Sequence, residues 1–503
     1  MEDDLYYGDG FSDMADIDED LLRAYLEGNE VNPEIEELLK AYGQETPEAL
    51  SRVTVKELWE NCLSPTFFQT VENLLPLLLL CFVFKLICSF SKSGSDDQDI
   101  PPWLIHLSSL MFGLLALHMF FQRNLFYLLL CSALAFAVLV ITNWRNRDYC
   151  GISLSIFIIV YIVACEFLMD RSVWHSIRGA QIILSMKIIG IAFDLSNGAM
   201  IEFPSVFAYF GYNFCVGTVI FGPWISYTEY KHILSQHKRP MRIFWMLKVL
   251  FSLVCALLCV VCSTCLIHWL ILDNYSKFIP DSYSKWIVAY RDAQSFRFSH
   301  YFVSFLSEVT VILCGLGATH LNDDVRWDLR VSKPYHIEVP RSLVEVVTNW
   351  NLPMHTWLKN YVFKSARPLG NFVAVFLTYI ASALLHGLNF QLAAVLLSLG
   401  VYTYVEYVFR NKLSVIFDAC IKARRCKEGC GHAYKYSHPY VITANLIFGS
   451  AAVFHLAYLG LMFDHSSSEE TGYSMEHTLD KWSSLNYLSH WVILGTYLFH
   501  LMI

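Results

Sequence analysis

The chain has 503 residues, 55% of them hydrophobic and only 16% charged, with a positive mean hydropathy; that is too apolar for a water-soluble globule and suits repeated membrane crossings. Its net charge of −9 is unevenly spread: residues 1–50 hold 16 Asp and Glu against Arg23 and Lys40, a balance of −14, so the remaining chain carries +5. A basic body without a clustered Lys/Arg footprint excludes nucleic acid as a partner and fits the anionic leaflet of a lipid bilayer.

Residues 1–56 are acidic and lack both a basic leader and an apolar core, so they read as a disordered or weakly helical tail and not as a signal peptide. Residues 57–503 read as one all-α, polytopic membrane domain. Leu50, Val53, Leu58 and Leu63, set among polar neighbours between Pro47 and Phe68, predict an amphipathic helix along the membrane surface. Apolar runs then predict spans at Asn73 to Phe90, Trp103 to Gln122, Leu125 to Thr142, Gly151 to Met169, Ile177 to Leu195, Pro204 to Tyr227, Val249 to Leu272 and Phe298 to Thr319. Four more follow at Leu369 to Leu388, Gln391 to Phe409, Val441 to Phe463 and Leu485 to Ile503. The segment 273–296 reads as a polar connection. The segment 320–368 reads as a polar and aromatic insertion interrupted by Pro334, Pro340, Pro353 and Pro368, and a long insertion in a compact protein is usually functional.

Three short loops carry the Lys and Arg that mark a cytoplasmic face: Arg145 with Arg147; Lys231, Lys238, Arg239 and Arg242; and Lys412 with Lys422, Arg424, Arg425 and Lys427. Three apolar segments separate the first two loops, and an odd number of crossings would put them on opposite faces. One segment therefore cannot cross. Ile177 to Leu195, with Arg178, Gln181 and Lys187, is the expected re-entrant or surface element, tolerable at depth only where it lines a cavity; about 11 spans remain. The acidic tail, the acidic loop Asp464 to Asp480 and the sequon Asn274-Tyr275-Ser276 are then expected on the lumenal side.

Of 15 cysteines, most lie in apolar runs, where a thiol behaves as a small hydrophobe, so no disulfide framework is expected. Cys255, Cys259 and Cys262 share a helix face, which suits packing, and Cys265 near that helix's end is a candidate for reversible acylation. Cys426-Lys427-Glu428-Gly429-Cys430 with His432 has metal-like spacing but no second ligand pair, so no metal is expected.

The most informative stretch is Trp350 to Asn389. It sets His386 behind the uncharged run Phe372 to Leu385, at a depth where an ionisable side chain needs a partner or a task. The plainer reading is a core histidine with a satisfied ring, at about even odds for a lone membrane histidine. Asn351 lies 35 residues upstream in Trp350-Asn351-Leu352-Pro353, where Pro353 disfavours helix at Leu352 and frees polar backbone to line a cavity. Its plainer reading is a helix cap or a loop residue. Glu166, Glu308 and Glu406 read first as partners of buried Lys or Arg and second as site residues. On these residues alone a proton-coupled transporter rivals an enzyme, although transporters often show two related halves and this chain shows no repeat. No serine-hydrolase elbow, Walker loop or zincin motif is present.

Several segments carry a resemblance: Arg178-Gly179-Ala180-Gln181, Phe221-Gly222-Pro223-Trp224-Ile225-Ser226, Trp327-Asp328-Leu329 with Val331-Ser332-Lys333-Pro334, Glu338 to Pro353, Tyr361-Val362-Phe363-Lys364 and Ser382 to Gly387. From about Leu58 onward the chain resembles the membrane-bound O-acyltransferases, and within them those that place a monounsaturated acyl chain on a serine of secreted Wnt proteins. The Trp-Asn-Leu-Pro and Leu-Leu-His-Gly elements at their family spacing are its most specific part. The resemblance implies a multi-pass protein of the endoplasmic reticulum membrane, with palmitoleoyl-CoA as co-substrate, a Wnt polypeptide as acceptor and no further cofactor. It implies His386 as the base, for which an imidazole titrating near pH ~6.5 is suited, and Asn351 as the residue holding the hydroxyl or the carbonyl oxygen. Lys333, Arg341, Trp350 and Trp357 are then candidates for the mouth of an acyl-CoA site, against the plainer reading of a solvated basic loop. No cysteine lies between Trp350 and Asn389, which favours direct transfer over an acyl-cysteine intermediate.

Overall fold

The computed structural model describes residues 54–90, 101–234, 243–271, 281–321, 324–427, 429–463 and 475–503. Residues 59–503 form one compact unit. Of the unit before it only residues 54–58 are described, so the acidic tail lies outside the described residues. The sequon, the Lys238 to Arg242 cluster and residues 464–474 of the acidic loop also lie outside them.

The chain is helical, as its composition dictates: a backbone in hydrocarbon has to satisfy its own hydrogen bonds. The principal helices are α1 (Ser64–Phe90), α2 (Pro102–Phe121), α3 (Leu125–Arg145), α4 (Cys150–Leu168), α5 (Arg171–Ser196), α6 (Val206–Asn213), α7 (Ile243–Val261), α8 (Asp281–Leu313), α9 (Leu343–Trp350), α10 (Leu352–Trp357), α11 (Asn371–Leu385), α12 (Phe390–Ile416), α13 (Pro439–Gly460), α14 (Met475–Ser484) and α15 (Leu488–Met502). Strands β1 (Thr319–Leu321) and β2 (Asp324–Arg326) pair antiparallel as the one sheet among the described residues. Seven helical stretches among the described residues are long and apolar enough to cross a membrane, one of them running from Pro102 to Arg145, and α11 and α15 are shorter apolar helices. The protein is a multi-pass membrane protein. Within the Pro102–Arg145 stretch, Gln122 takes φ 48° between α2 and α3. Unbroken, 44 residues would span about 66 Å, twice a hydrocarbon core.

The segment expected not to cross is corrected. Ile177 to Leu195 belongs to the continuous helix α5, of whose apolar window 72% is buried, against 28–33% in the other six. Its polar residues face protein. Lys187 is fully buried and its Nζ donates to the carbonyls of Tyr212 (2.9 Å) and Asn213 (3.1 Å) and to Thr218 Oγ1 (2.6 Å). Those acceptors belong to the end of α6 and the irregular chain after it, so it is Pro204 to Tyr227 that fails to form a spanning helix: α6 has eight residues. Free carbonyls at depth need donors, and a lysine on a buried helix supplies them. At Gly113 of α2 the Phe214 carbonyl comes so close that a Cβ would sit 1.5 Å from its oxygen. With Pro204 to Tyr227 left out instead, two helices long and apolar enough to cross, α4 and α5, lie between Arg145 and Lys231.

Two further expectations are revised. The polar connection 273–296 is helical from Asp281, as the first half of the 33-residue α8. Within the segment Arg291 Nε lies 2.8 Å from Asp292 Oδ1, and just beyond it α8 meets the insertion: Arg297 Nε lies 2.9 Å from Glu338 Oε1, and Tyr301 donates to the same oxygen at 2.6 Å. Cys265 is not a free acylation candidate, since it forms a disulfide with Cys62 across 203 residues of sequence. Disulfides persist in oxidising compartments, and the sequence reading expects this end of the chain on the lumenal side.

Candidate active site

Helix α11 is the apolar run that the sequence set before His386. Gly370 (φ 106°) turns the chain into it and Gly387 (φ 89°) stops it, as a glycine past a helix end does. His386 is the capping residue, its backbone N–H donating to Ser382 O (3.3 Å) and Ala383 O (3.1 Å). The half-buried imidazole makes no hydrogen bond among the described residues. Among the described residues nothing satisfies the ring as a core histidine would require.

Three side chains from α4 and α5 border this corner. Glu166 accepts a hydrogen bond from Trp174 Nε1 at 2.7 Å. A Cβ on Gly387 would lie 2.8 Å from Glu166 Oε2, 3.5 Å from Arg178 Cδ and 3.7 Å from Trp174 Nε1. Leu388 N approaches the same carboxylate oxygen at 3.4 Å. Glu166 thus reads as a site-border residue, whereas Glu308 and Glu406 pair with Lys248 (2.6 Å) and Arg410 (2.9 Å), as the sequence suggested. Trp174 and Arg178, four residues apart on α5, were not singled out from sequence as site residues; their i, i+4 spacing beside the Arg-Gly-Ala-Gln element was the available signal.

Asn351 occupies the break between α9 and α10. Its Oδ1 accepts from Met354 N at 3.0 Å, with Pro353 in the first turn, so the helix-cap reading holds for that oxygen. A cap of this kind fixes the amide orientation and leaves Nδ2–H₂ over; it makes no hydrogen bond among the described residues. The break is pinned on two sides. Leu352 N donates to Val331 O (2.8 Å), and His300 of α8 stacks on Trp350 (4.4 Å between ring centroids, 14° between planes) with Nε2 2.9 Å from the Trp350 carbonyl. His300 had no sequence signal beyond its residue type. The π-turn Leu358–Phe363 that continues α10 packs along α11, which ties the chain after Asn351 to the helix that ends at His386; among the described residues the two side chains share no hydrogen bond.

The candidate acyl-CoA residues divide. The half-exposed Lys333 makes no ion pair among the described residues, so its ammonium is available to an anion. Trp350 is half-buried between His300 and Phe296. Arg341 and Trp357 are committed elsewhere. The Arg341 guanidinium donates to Asn445 Oδ1 (3.0 Å) and to the Cys420 carbonyl (2.7 Å), and burial together with the nearby Arg410 charge lowers its pKa from the ordinary arginine value. Trp357 is 2% exposed and donates to Met186 O at 2.9 Å. Both are better read as framework than as a CoA mouth. His355, one turn into α10, is held below the usual histidine range by burial and by Lys359 and Arg424. A recess of about 260 Å³ lined by Glu229, Thr319, Asp328 and Arg330 shares no lining residue with the His386 corner.

The expectation of no metal rested on a missing second ligand pair. The fold supplies it: Cys420 joins Cys426, Cys430 and His432, with all four ligand atoms within 4.8 Å of one another.

Residues 152–422 match the profile of MBOAT, the membrane-bound O-acyltransferase family. The chain is 42% identical over 463 residues to the Homo sapiens protein named Protein-serine O-palmitoleoyltransferase porcupine, covering 89% of this chain and 98% of that protein. The Drosophila melanogaster protein of the same name is 31% identical over 497 residues, 93% of this chain and 91% of its own length. Lysophospholipid acyltransferase 1 of Arabidopsis thaliana is 25% identical over 358 residues, covering 62% of this chain. With the profile across half the chain and relatives matched over nearly their whole length, the chain belongs to the membrane-bound O-acyltransferase family.

Proposed function

We infer that this protein is a protein-serine O-acyltransferase that moves a palmitoleoyl group from CoA to a serine hydroxyl of a secreted Wnt polypeptide, within the endoplasmic reticulum membrane. The observation that carries the reading is the imidazole of His386, half-buried at the end of an apolar helix with no hydrogen-bond partner among the described residues. The names of the relatives supply the acyl group and the serine acceptor.

In this reading an unprotonated ring nitrogen of His386 takes the serine proton as the hydroxyl oxygen attacks the thioester carbonyl. The developing oxyanion accepts a hydrogen bond from the Asn351 amide, whose Nδ2 the helix cap leaves over. Collapse of the tetrahedral intermediate breaks the carbon–sulfur bond. The CoA thiolate leaves with little need of acid, and the imidazolium returns its proton to the thiolate or to solvent. In this reading Lys333 meets the anionic head of CoA, which its half-exposed side chain without an ion pair among the described residues supports. No cofactor enters these steps.

The test uses purified full-length protein in detergent or nanodiscs, palmitoleoyl-CoA, and a Wnt-derived peptide carrying the acceptor serine or alanine in its place. Serine-dependent CoA release and an acylated peptide are expected, and His386→Ala is expected to abolish both while acyl-CoA binding persists. Turnover unchanged in His386→Ala would sink the catalytic assignment, and proton-coupled solute uptake into proteoliposomes without acyl transfer would favour a transporter.

A further inference from the structure

Between α12 and α13 the chain makes a loop with little regular structure, and its four chemically distinctive side chains converge. Cys420 Sγ lies 3.4 Å from Cys430 Sγ and 3.7 Å from His432 Nδ1, and Cys426 Sγ lies 3.7 Å from the same nitrogen. A tetrahedral zinc with bonds of about 2.3 Å to sulfur and 2.0–2.1 Å to nitrogen holds its ligand atoms about 3.4–3.8 Å apart. A disulfide would need its sulfurs about 2.0 Å apart.

The hydrogen bond behind His432 points the same way. Ser414, fully buried in the last turn of α12, lies 2.6 Å from the Ala419 carbonyl, to which its single proton has to go. Its oxygen, 3.1 Å from His432 Nε2, must then accept the Nε2–H. That tautomer leaves the Nδ1 lone pair turned toward the sulfurs, and a ligating imidazole whose other nitrogen donates to a fixed oxygen is the usual arrangement in metal sites. Gly429 (φ 80°) allows the tight turn that brings Cys430 back beside Cys426.

We propose that Cys420, Cys426, Cys430 and His432 form a structural Cys₃His zinc site that locks the loop between α12 and α13. Four protein ligands close the coordination sphere, which suits a structural ion and leaves no open position for catalysis. Binding releases the three thiol protons to solvent, and the resulting −1 centre sits in a loop bearing Arg424, Arg425, Lys427 and Lys435. The basic content that assigns this loop to the cytoplasmic face also assigns it to a reducing compartment, where such spacing is read as metal-binding before disulfide.

The site reaches the catalytic framework through backbone. The carbonyls of Cys420, Ile421 and Ala423 accept from Arg341 (2.7 Å), Arg410 (2.7 Å) and Ser342 (2.9 Å). Ser342 caps α9, the helix that ends at Asn351, and Arg410 pairs with Glu406, which accepts from the α9 backbone at Leu343 N (2.7 Å). Zinc thereby acts as a positioning element for Asn351 without touching substrate.

The experiment is elemental analysis of the full-length protein purified without chelators. About one zinc per chain is expected, falling to background in Cys420→Ser/Cys430→Ser. To separate a lost ligand from a lost fold, wild-type protein is stripped with a chelator and reloaded with Co²⁺ alone; thiolate-to-cobalt charge transfer with tetrahedral d–d absorption is expected. Hydrogen exchange in the stripped protein should rise at 418–434 and at 341–351. Zinc-free protein whose three cysteines alkylate as free thiols, a Cys420–Cys430 disulfide found by peptide mass spectrometry, or octahedral cobalt without charge transfer would each overturn the proposal.

Discussion

Asn351 accepts the Met354 backbone N–H on Oδ1 at 3.0 Å, and this structural bond dictates which end of the amide is left for chemistry. In the proposed reaction the cap and the oxyanion donor are the same residue, one atom for each task. The two tasks are separable by substitution. Asp caps a helix about as well as Asn but has no N–H to give. Asn351→Asp should therefore keep the thermal stability of the parent while lowering kcat at least as far as Asn351→Ala, for which a loss of about 10² to 10³ is the usual cost of one oxyanion donor. Parent-like turnover in Asn351→Asp would return the residue to a purely structural role.

The corner at Gly387 has no room. Its φ of 89° disfavours any other residue, and an added Cβ would meet Glu166 Oε2 at 2.8 Å. Gly387→Ala should cost about 1–3 kcal/mol in stability through backbone strain and should displace the carboxylate that Trp174 holds. Trp174→Phe keeps the bulk and removes the indole donor. If Glu166 only packs, Trp174→Phe will leave kcat and KM alone; if Glu166 shapes the His386 site, kcat will fall with little change in detergent stability. Paired kinetics and thermal unfolding of the two variants separate these outcomes.

The Cys62–Cys265 bond predicts which face is lumenal. In sealed microsomes neither cysteine should react with a membrane-impermeant thiol reagent, and Cys265 should give no hydroxylamine-sensitive acyl signal. Cys265→Ser frees Cys62, which should label only after the vesicles are opened. Labelling of Cys62 from the cytosolic side of intact vesicles would invert the topology.

Legibility in the sequence followed the range of the interaction. The uncharged run before His386 and the asparagine break before Pro353 are local patterns, and both reappear as α11 and the α9–α10 junction. The misassigned span shows the limit. Arg178, Gln181 and Lys187 make α5 look unfit for a membrane, and only the carbonyls of Tyr212 and Asn213, about 25 residues on, explain Lys187. Cys420 is a similar case, since nothing in its spacing ties it to Cys426 until the loop closes. The same reasoning gives a test: Lys187→Met would take the ammonium from the Asn213 carbonyl, while Tyr212 O keeps the Cys215 N–H (3.3 Å) and Thr218 keeps its bond to Cys215 O (3.2 Å), so a loss of about 1–3 kcal/mol is expected for the unsatisfied carbonyl. A Tm close to that of the parent would mean that water or a neighbouring donor replaces the ammonium.

An acyl donor with an anionic head and a secreted acceptor meet only if the protein conducts them to one point inside the membrane. His386 is that point in the proposed reaction, so the acyl chain is expected to run beside α11, with CoA entering near Lys333 from the 320–368 insertion and the acceptor segment from the lumen. Dry walls there would also keep water from the thioester. Among the small residues of α11, Ala374 is fully buried, Ala383 is 8% exposed and Ala381 is half-buried. Ala383 lies one turn before His386, where a chain held for attack would pass. Enlarging a wall residue of a packed pocket costs about 1–3 kcal/mol, and a chain that stops short of the obstruction escapes that cost. Ala381→Leu and Ala383→Leu should therefore shift preference from 16-carbon toward shorter acyl-CoAs, by about one to two orders of magnitude in relative kcat/KM, whereas Ala374→Leu should act mainly on stability. Competition assays with acyl-CoAs of graded length read this directly. An unchanged chain-length profile at all three positions would mean that the acyl chain does not lie against α11, and the tunnel would have to be sought on the α4–α5 side of His386.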